Sequence, residues 1–228
     1  YQDTSVAPYD MGATGSQTLF NNGRAVVAAA GQIAEQLRNL AAEHLEASPA
    51  DIVLANGTAS VAGTPDRGVP IAELAGIAAG GELLIGHGSG VPPSAPATVG
   101  ATCVGDVGMS SWVAPQFSCH AVRVKLDRET GVARVLHVSA AHDSGTIINP
   151  TGATGQVEGA VMMGIGQALT EGTTYDANGR QRNAALLEYK LQTCADAPPI
   201  DIHFVQINTP DAGPRGAKGL AEAPNVAT

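Results

Sequence analysis

Between Asn149 and Glu171 the sequence calls for a helix, yet it places Gly155, Gly159, Gly164 and Gly166 inside it. Each interior glycine costs about 1 kcal/mol relative to alanine, so four of them need a physical reason. The usual reason is close approach: a bulky neighbour lies where the Cβ atoms would stand. That neighbour is either another helix or a large ligand. The helix is expected from about Gly155 to Glu171, after Pro150 and Gly152. Gln156, in its first turn, is the polar residue best placed to meet a ligand. The wider composition agrees with close backbone packing, with 28 glycines and only 4% aromatic residues.

Other elements follow from periodicity. Val26, Ala30, Ile33, Leu37, Leu40, Ala41 and Leu45 recur at three- and four-residue steps, which predicts a helix over Arg24 to Glu46 ended by Ser48-Pro49. Asp51 to Leu54 and Ser60 to Ala62, joined through Asn56-Gly57, predict a short hairpin. Ile71 to Ala79 predicts a helix closed by Gly80-Gly81. Residues 86–115 are rich in Gly, Pro and Ser and read as a long loop. Ser118 to Asp127 and Val132 to Ala141 flank the turn Asp127 to Gly131 and predict a strong hairpin. Ile202 to Ile207 is a further expected strand, and residues 1–22 read as a strand end running into a polar loop. Strands and helices mix without a steady βαβ rhythm, so the expected class is α+β, with mixed sheets and packed helices. Two sub-domains are expected, 1–115 and 116–228.

Charge and cysteines narrow the function. The net charge of -9, with no lysine or arginine cluster, argues against nucleic acid or an anionic membrane as a partner. Cys103, Cys119 and Cys194 contain no C-x-x-C pair, which speaks against a cysteine-ligated zinc or iron–sulfur site. Their sparse, odd number fits buried thiols in a reducing compartment, the cytoplasm. The longest apolar stretch, Ala160 to Leu169, is too short and Gly-rich to span a bilayer. Neither end of the sequence looks like a natural terminus, so a fragment is expected.

Two loops carry chemical weight. Gly213-Pro-Arg-Gly-Ala-Lys-Gly-Leu-Ala-Glu-Ala-Pro224 holds one carboxylate, Glu222, in a segment that Gly and Pro keep from forming a helix or a central strand. It reads as a shaped loop that aims an acid at something, or as a loop with a solvated glutamate. Gly12-Ala-Thr-Gly-Ser-Gln-Thr18 precedes the long helix; its small and hydroxyl residues either present N–H groups to an anion or form an ordinary capped loop. Signatures for zinc proteases, α/β-hydrolases and P-loops are absent. His120 and His137 fall in the strand hairpin as structural residues, and His142-Asp143 makes a metal site only with distant partners.

Together these segments resemble the molybdenum-binding large subunit of the xanthine dehydrogenase and aldehyde oxidoreductase family, the molybdenum hydroxylases. The matching residues are Asp143-Ser-Gly-Thr-Ile-Ile-Asn-Pro150, Gly155-Gln-Val-Glu-Gly-Ala160, Gly164-Ile-Gly-Gln-Ala-Leu169 with Glu171, and Gly216-Ala-Lys-Gly-Leu-Ala-Glu222. Asp3-Thr4, Met11-Gly-Ala-Thr-Gly-Ser16 and Gly23-Arg-Ala25 keep the same order. The likeness covers nearly the whole chain and corresponds to the second molybdopterin-binding domain of such a subunit. It implies that Glu222 is the active-site base, although Ala221 stands where the family often has glycine. It implies that Gln156 and the stretch Gly12, Ala13, Thr14, Gly15 and Ser16 hold the pterin, and that Gly219 lets the loop pass close to it. The molybdenum is then ligated by the pterin dithiolene, with no protein metal ligand. The cofactor implied is molybdenum-molybdopterin, in the cytosine dinucleotide form or another. Partners implied are the N-terminal molybdopterin-binding domain, missing from this chain, together with 2Fe-2S and FAD subunits or domains and a small-molecule substrate. The alternative is a cofactor-free scaffold that keeps the fold.

Overall fold

The computed structural model describes residues 3–7, 12–13, 15–81, 83–90, 114–210 and 212–228. The chain divides into two compact units, Asn21–Pro93 and a second assembled from Tyr1–Phe20 with Ser94–Thr228. This division differs from a single cut near residue 115 by giving the N-terminal segment to the larger unit. The fold is α+β. Among the described residues no helix is long and apolar enough to cross a membrane.

The smaller unit rests on helix α1 (Thr18–Leu45), whose first turn belongs to the larger unit. The helix starts six residues before the expected Arg24, because Thr18 to Gly23 have no breaker strong enough to stop it. It ends as expected: the Ala47 N–H reaches back to the Ala42 carbonyl at 2.9 Å, and Ser48 caps a short 3-10 turn at Pro49–Asp51. Strands β1 (Ile52–Ala55), β2 (Thr58–Val61) and β3 (Thr64–Pro70) form an antiparallel sheet in that order. The hairpin at Asn56-Gly57 is the expected one, with both residues at positive φ. β3 was not expected: Pro65, Gly68 and Pro70 disguise it, and they are tolerated because it is an edge strand. Helix α2 (Ile71–Ala79) follows directly, at its expected bounds. The core joins Leu37, Ala41 and Ala42 of α1 to Ile52, Ala59, Val69 and Leu74. The N-terminal end of the predicted stripe does not reach it; Val26 is 65% exposed.

In the larger unit β4 (Phe117–Leu126) and β5 (Ala133–Asp143) form the expected long hairpin. Its turn is closed by the Gly131 N–H on the Asp127 carbonyl at 2.8 Å. β6 (Ile200–Phe204) adds in parallel to β5, two residues earlier than predicted. A parallel neighbour needs a crossover, and helix α3 (Pro150–Leu169) supplies it. α3 begins five residues before the expected start. Pro150 occupies the first turn, where its missing N–H costs nothing, and Asn149 caps the helix by accepting from the Gly152 N–H at 3.0 Å. Val157, Val161 and Ile165, at four-residue steps, pack on Val138 and Ala140 of β5 and on Leu220. That stripe leaves Gly155, Gly159 and Gly166 on the opposite side of α3 from the sheet.

Two further expectations are corrected. The Gly213–Pro224 segment does hold helical turns: a 3-10 turn at Pro214–Gly216, then helix α4 (Ala223–Ala227), which Pro224 enters in its first turn. Cys119 and Cys194 are exposed free thiols rather than buried ones: Cys119 falls on an exposed position of the alternating strand β4, and Cys194 in the exposed connection between α3 and β6; Cys103 is outside the described residues. No strand forms among the described residues of 3–20. Of the expected loop at 86–115, residues 91–113 lie outside the described residues.

Candidate functional site

Three segments of the larger unit converge on one cleft of about 510 Å³. The loop before α1 contributes Ala13, Gly15, Ser16 and Thr18. α3 contributes Gly155, Gln156, Gly159, Ala160 and Met163, and the C-terminal loop contributes Ala221 and Glu222. These are the segments singled out in the sequence, and backbone contact holds two of them together. Gly15, at φ +60°, lies so close to the C-terminal loop that a Cβ would stand 3.0 Å from the Ala221 carbonyl oxygen. Gly219 reciprocates: its Cβ would meet the Gln17 side chain at 3.1 Å and the Gly15 carbonyl oxygen at 3.6 Å. Gly219 therefore serves the packing of the two loops and does not line the cleft. Gly12, at φ +81°, is not part of the lining, and Thr14 lies outside the described residues.

The third segment is tied in by a side-chain hydrogen bond. The Ser16 hydroxyl donates to Gln156 Oε1 at 2.7 Å. Gln156 thereby has its carbonyl end occupied, which leaves its –NH2 end to donate to a ligand. Glu222 is exposed and sits at the start of α4, and its side chain makes no capping bond.

The four glycines that the sequence marks in α3, beside Gly152 in its first turn, divide into two pairs. At Gly164 a Cβ would stand 2.6 Å from the Asn225 carbonyl oxygen and 3.0 Å from Thr228 Cβ, so helix α4 is the close neighbour. At Gly166 it would strike the Glu171 carboxylate. Gly155 and Gly159 have nothing within 4 Å of the Cβ position among the described residues; they open onto the cleft. The small side chains of Ala13 and Ala160 widen the same wall.

The loop bearing Glu222 is secured from below. Its Gly216 and Ala217 run against Gly145: a short antiparallel bridge pairs Gly145 with Ala217, and the Thr146 N–H donates to the Gly216 carbonyl at 2.9 Å. Lys218 lies underneath and donates to Asp143 Oδ2 at 2.7 Å, with 2% and 3% of the two side chains exposed. Burial alone would push the Asp143 carboxyl up. The hydrogen bond from Lys218, the N–H groups of Gly145 and Ile207, and the Lys218 charge outweigh that and hold it below the ordinary value. Sequence reasoning missed this pair; each residue stood in a matching motif, but nothing in the sequence shows that they meet.

Among the described residues no group of three His, Cys, Asp or Glu side chains that could hold a metal ion forms around His142. The His142 Nε2 lies 2.8 Å from Nε2 of His120, whose Nδ1 meets the Thr228 hydroxyl at 2.9 Å. Burial, and then the neighbouring His120 charge, lower the His142 pKa to about 4. His137 pairs instead with Asp201 at 2.9 Å, away from the cleft.

Known proteins share this arrangement of elements. A profile of the molybdopterin cofactor-binding domain family matches residues 1–198. The chain is 34% identical over 218 residues to the nicotine 6-hydroxylase large subunit of Paenarthrobacter nicotinovorans, covering 94% of this chain and 25% of that one. It is 33% identical over 226 residues to the putative xanthine dehydrogenase molybdenum-binding subunit of Escherichia coli K12, covering 99% and 28%. Among solved structures, a Cu,Mo-CO dehydrogenase in its carbon monoxide reduced state superposes with a TM-score of 0.73 at 26% identity, covering 98% of this chain and 26% of that one. Quinoline 2-oxidoreductase from Pseudomonas putida 86 gives 0.68 at 29% identity, covering 98% and 27%. The chain thus spans about a quarter of the length of the relatives it matches. With its three converging segments and its matched residues, it belongs to the molybdopterin cofactor-binding domain family.

Proposed function

We propose that the cleft holds the molybdopterin cofactor and that Glu222 is the base of a molybdenum hydroxylase, which oxidises aldehydes or hydroxylates N-heterocycles with water as the oxygen source. The observation that carries this is the pair Gly155 and Gly159. They open onto the cleft instead of onto protein, beside a Gln156 whose free amide end can donate. A flat, polar ligand fits such a wall, and the first-turn N–H groups of α1 at Thr18 suit its phosphate. When bound, the cofactor supplies the two-electron redox centre. The protein's part is to position and to move a proton. Glu222, exposed in the lining of the cleft, would accept the proton of the water that supplies the oxygen, once the cofactor is bound. Gln156, Gly15 and Ser16 hold and orient the pterin; Gly12, Ala13 and Gly219 shape the loops that do so, and Thr14 is assigned to the pterin by the resemblance alone.

The relatives are named as large or molybdenum-binding subunits, and one as subunit gamma of a dehydrogenase complex. This supports a further assignment: the cofactor's other face is covered by an N-terminal molybdopterin-binding domain, with electrons leaving to 2Fe-2S and FAD partners. The cytosine dinucleotide form of the cofactor and a cytoplasmic setting belong to the same proposal.

The test is the assembled enzyme with and without Glu222→Gln, assayed for molybdenum and pterin content and for turnover. Equal cofactor content with turnover lower by about 100-fold or more is expected for loss of a general base. Full turnover in Glu222→Gln, or no molybdenum in either form, overturns the reading.

A further inference from the structure

The Asp143–Lys218 pair is buried, charged and adjacent to the loop that carries Glu222, and no part of the proton transfer uses it. Burying two charges is costly, and a well-packed apolar pair commonly gives equal or greater stability. What an ion pair adds is direction. Asp143 ties three segments at once: Oδ1 accepts from the Gly145 N–H at 3.2 Å and the Ile207 N–H at 3.3 Å, while Oδ2 takes Lys218 Nζ at 2.7 Å. The Lys218 N–H in turn donates to the Ser144 carbonyl at 3.0 Å. Main chain and side chain of one residue are thus anchored to the end of β5. Lys218 stands four residues before Glu222, and the residues between them are Gly219 and the buried Leu220 and Ala221. Little slack remains between anchor and carboxylate.

We infer that Asp143 and Lys218 are positioning residues for Glu222: the buried strut fixes where the loop crosses the cleft, and through it where the carboxylate stands. The inference rests on the reading of Glu222 as the base. A misplaced base is a known route to large losses in rate without loss of binding.

The test compares Asp143→Asn/Lys218→Met with wild type in the assembled enzyme. The double variant removes both charges and the strut, while the amide oxygen introduced in place of the Asp143 carboxylate can still accept from the Gly145 and Ile207 N–H groups. The expected result is a melting temperature and molybdenum content close to wild type, kcat lower by about tenfold or more, and KM changed far less. Amide hydrogen exchange across residues 213–222 is expected to quicken by about tenfold, a readout independent of turnover. Wild-type kcat with unchanged exchange in the double variant overturns the inference. Should the double variant not fold, Lys218→Arg keeps the charge but lengthens the strut. A several-fold loss of kcat with unchanged molybdenum supports the inference, and wild-type kcat overturns it. Glu222→Gln, run alongside, separates the two claims. If it retains turnover, the base assignment falls, while the exchange data still decide whether the pair holds the loop.

Discussion

A single methyl group distinguishes the two kinds of glycine in α3. Gly159→Ala places a Cβ in open space, so it should gain about 0.5–1 kcal/mol of helix stability. The same methyl intrudes on the cleft, so molybdenum content in the assembled enzyme should fall while the melting temperature of the cofactor-free form rises. Gly164→Ala meets the Asn225 backbone and should lose about 1–3 kcal/mol by overpacking, as read by urea unfolding. The sequence already marked all four glycines as unusual, because propensity alone makes them costly. It could not separate them, since what faces a helix is a tertiary fact. Glu222 and Gln156 were legible as the polar residues in small-residue segments. Ser16, the partner of Gln156, stood in the loop that the resemblance assigns to the pterin, but nothing in the sequence shows that its hydroxyl donates to Gln156. Lys218 was hidden for another reason. A lysine in a Gly-rich loop reads as solvated, and its burial depends on an aspartate 75 positions away.

At the scale of elements, the β4–β5 hairpin carries a titration of its own. His142 is 1% exposed and its Nδ1 has no hydrogen-bond partner among the described residues, so its charged form is disfavoured and its pKa falls to about 4; burial lowers His120 as well. The folded chain therefore binds fewer protons than the unfolded chain between the ordinary histidine value of 6.5 and about 4. Stability is full above that window and declines as pH falls through it, by on the order of 3 kcal/mol for His142. Urea unfolding free energies measured across this range should show that slope, and His142→Gln should flatten it. The Asp143 carboxyl, held low, adds a second loss at still lower pH. The hairpin itself was readable because alternation sets its faces and Asp127 to Gly131 sets its turn. The starts of α1 and α3 were read late, since Pro150 looked like a breaker where it is a first-turn residue. β3 was invisible because only Val69 of its residues is buried.

For the molecule as a whole, the smaller unit is an insertion with neighbouring ends. The extended segment 83–90 runs back along α1: a Cβ at Gly90 would stand 2.8 Å from the Asn21 carbonyl oxygen, and one at Gly88 or Gly86 would strike Ala25 or Ala29. The Gln36 amide donates to the Ile85 carbonyl at 2.8 Å and the His87 N–H donates to Gln32 at 2.9 Å along the same path. Replacing residues 22–89 by a short glycine linker should therefore leave the larger unit folded, with its near-ultraviolet circular dichroism and cooperative unfolding retained. Loss of cooperativity would show that the insertion is structurally required. The α+β class and most elements were legible, but the partition was not: local patterns do not reveal that residues 1–20 return to pack with the C-terminal half.

The hydrogen bond between Ser16 and Gln156 spans 140 positions, so the cleft is also an event in time. Contacts this distant are late and slow, because the chain must close a long loop before they form. If the unit Asn21–Pro93 collapses first, its neighbouring ends remove about half of that loop. The saving in closure entropy is only about 0.6 kcal/mol, yet it falls on the step that completes the cleft. A segment none of whose described residues lines the cleft would then set how soon a newly made chain can capture its cofactor.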